Sequence, residues 1–195
     1  FNSLSIFDHN LNTVNSYNKI NLVPFGEFLP FEKLLSKIGF KSLTNNYQSF
    51  SSGEKREILS INNNGFNLKI LPLICYEIIY AGNIYNDTKF DFIINISEDG
   101  WFGNSIGPHQ HFAKAIFRAI ENNTYLLRSA NKGISAIINN KGQIIKKLDT
   151  NEAGSIEVEI PLIKNQNKNK NDLIFFVLLI TYIFIFKFNR KNNGK

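Results

Sequence analysis

The chain has 195 residues, 43% of them hydrophobic and 19% charged, which suffices for one domain with a sizeable core and excludes wholesale disorder or a collagen-like repeat. The formal net charge is +6, but the basic residues are scattered except at 164–170 and 187–195, where they flank an apolar run. That layout suits a membrane anchor better than a nucleic-acid footprint, and no nucleic-acid partner is expected.

Residues 1–21 are polar and Asn-rich, without an apolar signal core, and read as one or two strands with an exposed loop. Residues 28–41, FLPFEKLLSKIGFK, place Phe31, Leu34, Leu35 and Ile38 near helical spacing before Gly39, predicting a helix. Residues 47–57 read as a Ser/Gly/charge loop. Residues 68–75, LKILPLIC, and 90–96, FDFIINI, are apolar with little polar alternation, the pattern of strands covered on both faces. Between the second strand and Pro108 lies the Gly-rich loop 97–107, SEDGWFGNSIG; Pro108 suits a first helical turn. A helix is predicted over 109–122, with Phe112, Ala115, Ile116, Ala119 and Ile120 on one face. Three strands are predicted at 125–130, 134–139 and 143–148, joined by Asn-Lys-Gly turns at 131–133 and 140–142. Strands alternating with helices and then a strand meander indicate an α/β layered domain over residues 1–163.

Residues 164–172 form a polar linker. Residues 173–186 are continuously apolar apart from Thr181 and Tyr182. Fourteen helical residues span about 21 Å, short of a hydrocarbon core of roughly 30 Å. Phe188 and a snorkelling Lys187 extend that reach, so a membrane helix is expected over 173–188, followed by a basic tail at 189–195. The charge flanking it is too even to orient it.

The chemistry-bearing residues start with Cys75, the one cysteine, at the end of an apolar strand, where α/β sheets gather ligands. A lone buried cysteine is usually an inert small hydrophobe; a nearby cation and carboxylate would make it a nucleophile. Lys19 and Glu27 flank the Val-Pro-Phe-Gly corner of YNKINLVPFGEFLP and could supply both. His109 and His111 point apart on a helix and lack a third ligand, so no metal and no cofactor are expected. Arg118 and Arg128 read as structural or surface residues, with Arg128 also able to shape a pocket.

The blocks YNKINLVPFGEFLP, LPLICYEIIY and INISEDGWFGNSIGPHQHFAKAIFRAIENNTYLLRSANKGISAIINNKGQI, in this order, resemble the bacterial apolipoprotein N-acyltransferases. These are a membrane-embedded branch of the nitrilase (carbon–nitrogen hydrolase) superfamily. The resemblance covers roughly residues 17–159, and the terminal apolar segment matches the helix that ends that family's chains. It implies a partial nitrilase-like α-β-β-α sandwich followed by one C-terminal transmembrane helix. It also implies that Cys75 is the nucleophile that carries an acyl group as a thioester and that Lys19 stabilises the tetrahedral intermediate. Glu27 and Glu77 match further acidic positions needed for function, Tyr76 sits beside the nucleophile, and Trp101 belongs to a loop over the pocket. The implied partners are a phospholipid acyl donor, a diacylglyceryl apolipoprotein acceptor and the membrane. The implied location is the bacterial inner membrane, with the catalytic domain on the periplasmic side.

The sequence departs from the pattern in places. The superfamily's general-base Glu lies upstream of the lysine, and no Glu precedes Glu27. With Phe first, no Met, and no N-terminal membrane bundle, the sequence reads as the C-terminal part of a longer protein, inactive alone and needing its missing N-terminal half. Glu98-Asp99-Gly100 stands where relatives more often carry Asn-Asp-Ala, a charge that alters head-group preference or does nothing. Two other readings fit the same residues: a nitrilase-type amidase, and a non-catalytic remnant of a split or decaying gene.

Overall fold

The computed structural model describes residues 1–31, 49–63, 65–82, 89–163 and 172–192. Its centre is a six-stranded sheet in the order β3 (Leu59–Asn63), β4 (Phe66–Ile74), β5 (Phe92–Glu98), β6 (Tyr125–Asn131), β7 (Ser135–Ile138), β8 (Ile144–Leu148). The β4–β5–β6 core is parallel and the remaining pairings are antiparallel. The first two strands, β1 (Ser3–Phe7) and β2 (Thr13–Asn18), form a separate antiparallel hairpin. Helix α1 (Gly107–Glu121) crosses from β5 to β6.

The apolar runs are unbroken because both faces of the sheet are covered. Leu71, Leu73 and Ile93 pack with Phe112, Ala115 and Ala119 of α1. Ile70, Ile74 and Phe92 pack on the other side with Leu4 and Tyr17 of the hairpin. Successive strand residues point to opposite faces, so each strand feeds two cores. The α/β layered expectation holds among the described residues.

Pro108 lies in the first turn of α1, where its missing N–H costs nothing. Phe112, Ala115 and Ala119 are buried as expected, and Ile116 packs against the same core from the margin. Ile120 does not join them: it is 46% exposed. The buried arc instead takes in the polar His111 and Arg118, so the inner face of α1 is partly a hydrogen-bonding face. Arg118 and Arg128, for which a surface place was one expectation, are both buried.

Two readings need revision. The helix expected over 28–41 does not begin at Phe28: residues 24–31 make a bridge between Pro24 and Phe28 followed by a turn. Phe25 and Phe31 have positive φ, and Pro30 biases its predecessor away from helical geometry. Leu34, Leu35, Ile38 and Gly39 lie outside the described residues. The linker expected over 164–172 lies outside them too, apart from Asp172, where α2 (Asp172–Asn192) begins. Among the described residues no helix is long and apolar enough to cross a membrane, so the expected transmembrane span is not supported.

Candidate active site

At the carboxyl edge of the sheet β4 stops at Ile74 and the chain turns at once into a 3₁₀ turn, Cys75–Ile79. Cys75 takes φ +49°, the left-handed region that costs a non-glycine residue on the order of 1–2 kcal/mol. Such strain persists only where surrounding contacts enforce it. Glu77 supplies them from below, fully buried: its Oε1 accepts from the Tyr17 hydroxyl at 2.7 Å and from the amides of Ile20 and Asn21 at 3.1 and 3.2 Å. Its Oε2 accepts from the Ile74 amide at 2.9 Å, and Arg56 Nη2 lies 3.6 Å from Oε1. Glu77 therefore ties the strand ahead of the cysteine to the segment that carries Lys19.

Lys19 is 0% exposed, and its Nζ donates to both oxygens of Glu27 at 2.9 and 2.7 Å. Glu27 also accepts from Asn2 Nδ2 at 2.7 Å and from the Val23 amide at 2.8 Å. The Pro24–Phe28 corner makes this possible, because it turns the chain back so that the Glu27 carboxylate meets the Val23 amide. Four hydrogen bonds from three donor groups hold this carboxylate in place. The pair is a fixed donor and a fixed acceptor.

Glu27 and Cys75 line one cavity of about 760 Å³. Its walls include Val23, Phe50, Tyr76, Ile79, Ile96, Trp101 and Phe102, with Glu98, His111 and Lys114 as the other ionisable lining. Trp101, in a 3₁₀ turn spanning Asp99–Phe102, is 65% exposed and stands at the rim. Tyr76 packs edge-on against Tyr80. The Glu98 carboxylate is engaged by the Gly100 amide at 2.8 Å and Asn131 Nδ2 at 2.6 Å. Four of the six residues singled out in the sequence, Glu27, Cys75, Tyr76 and Trp101, line this cavity. Lys19 and Glu77 do not: Lys19 is hydrogen-bonded to Glu27, and Glu77 braces the turn that carries Cys75.

The sequence reading missed a buried polar cluster behind the cysteine. Asp99 Oδ2 accepts from Arg128 Nη2 at 2.6 Å, and its Oδ1 from Ser97 Oγ at 2.7 Å. His111 Nδ1 lies 2.9 Å from Asp99 Oδ1 and 3.2 Å from Arg128 Nη2, while Nε2 faces the Cys75 carbonyl oxygen at 3.2 Å. Arg128 also donates to the Ile134 carbonyl at 3.1 Å and to Asn95 Oδ1. Burial alone would raise the Asp99 carboxyl, but His111 and the Arg128 guanidinium outweigh it and hold the carboxyl below its usual value. Burial draws the Arg128 guanidinium below its usual value, against the pull of Asp99. The sequence signals for it are the H-x-H pair, of which His111 turns inward on α1, and Arg128 as a pocket-shaping residue.

The model of one family, Carbon-nitrogen hydrolase, matches residues 1–167. The chain belongs to the carbon–nitrogen hydrolase family. Within it, the chain is 40% identical over 161 residues to the apolipoprotein N-acyltransferase of Rhizobium leguminosarum bv. trifolii, covering 82% of this chain and 30% of that protein. It is 41% identical over 162 residues to the protein of that name from Rhodopseudomonas palustris, covering 83% and 30%. Its match to that of Rickettsia prowazekii extends over 186 residues at 37% identity, covering 95% and 36%. The chain therefore spans about a third of the length of these relatives. A carbon–nitrogen hydrolase superfamily protein of Xanthomonas campestris, solved with an arsenic adduct in its active site, shares the fold at TM-score 0.52 and 19% identity, covering 78% of this chain and 54% of that one.

Proposed function

We propose that this chain carries the nucleophile-bearing part of an N-acyltransferase that moves a fatty acyl group from a phospholipid to the N-terminal amine of a diacylglyceryl-cysteine apolipoprotein. The observation that carries the reading is the cavity, in which the Cys75 thiol shares a largely apolar wall with the Glu27 carboxylate that holds Lys19. An acyl chain needs such a wall, and a small amide does not. The relatives named apolipoprotein N-acyltransferase support the same reading.

The Cys75 thiolate attacks the ester carbonyl carbon, a C–S bond forms, and the carbonyl electrons move to oxygen. Collapse of this oxyanion breaks the ester C–O bond and releases the lysophospholipid alkoxide, which takes a proton. The acceptor amine then attacks the thioester carbon, the C–N bond forms, the C–S bond breaks, and the thiolate returns as the amine loses its proton. Splitting the O-to-N transfer this way gives ping-pong kinetics. In this reading the Tyr76 N–H is the donor to the two oxyanions, and Lys19, buried behind Glu27, adds its positive charge. The superfamily's base is expected from the upstream part of the relatives' length. The acyl donor, the apolipoprotein acceptor and the bacterial inner membrane are the partners of this reading, with the domain on the periplasmic side and α2 against the bilayer.

Intact-mass measurement after incubation with phospholipid vesicles tests it, with and without a chain supplying that upstream part. The expected result is a hydroxylamine-labile acyl adduct on wild type that is missing from Cys75→Ser. An unmodified Cys75 under both conditions would sink the reading.

A further inference from the structure

We propose, resting on the acyl-transfer reading above, that His111 is a positioning residue that fixes the Cys75–Tyr76 peptide plane and so aims the Tyr76 N–H at the developing oxyanion. The peptide is trans, so its C=O and N–H point in opposite directions and cannot turn independently. Holding the Cys75 carbonyl holds the Tyr76 N–H. His111 Nε2 lies 3.2 Å from that carbonyl oxygen, and a carbonyl can only accept.

The Cys75 carbonyl can only accept, so a hydrogen bond to it places a proton on His111 Nε2. On the far side of the ring Nδ1 lies 2.9 Å from Asp99 Oδ1 and 3.2 Å from Arg128 Nη2, contacts that fix the ring's orientation. Asp99 itself is anchored by Arg128 and Ser97.

Helix α1 extends the same hold along the turn. Arg118, seven residues on from His111, donates to the Tyr80 carbonyl, and Glu121 accepts from the Gly82 amide. The segment after the nucleophile is thus gripped at 75, 80 and 82 by side chains of one helix. Cys75 at φ +49° needs such a hold, since a relaxed turn would swing the 75–76 peptide away.

His111→Gln and His111→Asn separate this role from plain packing. The Gln amide reaches the place of Nε2 and keeps a donor for Cys75; the shorter Asn reaches only the Asp99 side. Because the chain has one cysteine, 1-¹³C-cysteine marks a single carbonyl for isotope-edited infrared spectroscopy. His111→Asn is expected to move that band to higher wavenumber, and His111→Gln to leave it near wild type. In parallel, Cys75 is acylated with a p-nitrophenyl fatty ester, which develops an oxyanion, and alkylated with iodoacetamide, which does not.

His111→Asn is expected to slow acylation by about 10²-fold, the lower end of what loss of one oxyanion donor costs, while alkylation changes less than about threefold and His111→Gln recovers most of the acylation. An unmoved band in His111→Asn overturns the proposal without reference to activity, and so does an equal fall in acylation and alkylation. Wild-type protein that, with the upstream part supplied, takes iodoacetamide yet accepts no acyl group overturns the acyl-transfer reading instead, and with it the catalytic consequence drawn here.

Discussion

Lys19 and Glu27 are eight residues apart and were visible in the sequence as a cation and a carboxylate around a rigid corner. What the sequence did not contain was their burial, because charged side chains are usually solvated and only the fold closes over them. Removing one partner of a buried pair leaves the other uncompensated, at a cost of about 3–5 kcal/mol. The two halves are not equivalent: Lys19 is inaccessible, whereas Glu27 borders the cavity and water can reach it. Glu27→Gln is therefore expected to destabilise more than Lys19→Met, as measured by urea unfolding. Glu77 illustrates the opposite limit of legibility, since its Tyr17 partner is sixty residues away and no local pattern announces it.

Asp99 gives a pH-dependent counterpart. Its carboxyl is held below the ordinary value of 3.8 in the folded chain, so it binds fewer protons folded than unfolded near that pH. Its stabilisation is complete above that value and is lost as pH falls from there through the lowered folded pKa. Unfolding midpoints followed downward from about pH 5 should fall more steeply for wild type than for Asp99→Asn. Parallel curves would mean that the ion pair with Arg128 contributes nothing to folding.

Among the elements, the parallel strands were legible because burial on two faces writes itself as an unbroken apolar run, and α1 because Pro108 and a 3.6-residue period mark it. Strand β3, ILSINN in its surroundings, escaped because it is an edge strand with polar residues. The Asn-Gly pair at 64–65 between it and β4 was the available hairpin signal. Pro72 has no N–H to give a ladder, and β4 tolerates it because β3 pairs only as far as Ile70, so one flank of Pro72 lies beyond that ladder. The Asn-Lys-Gly sequence at 131–133 makes the turn between β6 and β7, and its glycine has a second reason to be there. A Cβ on Gly133 would overlap the Asp99 carboxylate, which is fixed by Arg128 and Ser97 and has little room to yield. Gly133→Ala should cost about 1–3 kcal/mol by overpacking. The same change at Gly65, where a Cβ meets nothing, carries only its φ penalty. Thermal midpoints of the two variants would compare packing with backbone strain directly.

For the molecule as a whole, α2 is the feature that the layered domain does not account for. From Leu173 to Phe188 its side chains are exposed around the whole circumference, including ten of the Phe, Leu and Ile residues at more than half their full area: Leu173, Ile174, Phe175, Phe176, Leu178, Ile180, Phe184, Ile185, Phe186 and Phe188. A buried core helix would show one covered stripe and an ordinary surface helix one polar face, and α2 has neither. Its continuous apolar stretch is too short by itself to cross a bilayer, but it suits a helix seated in the interface or dipping into one leaflet with Lys187 reaching to the head groups. The intact chain should therefore co-sediment with phospholipid vesicles, and a chain ending at 163 should remain in the supernatant with its sheet intact by far-ultraviolet circular dichroism. Because the apolar surface rather than the basic flanks supplies the binding, raising the salt should release little of the bound chain. Release by salt would shift the attachment to the lysines, and equal sedimentation of the shortened chain would place it on the exposed aromatic rim around Trp101 instead.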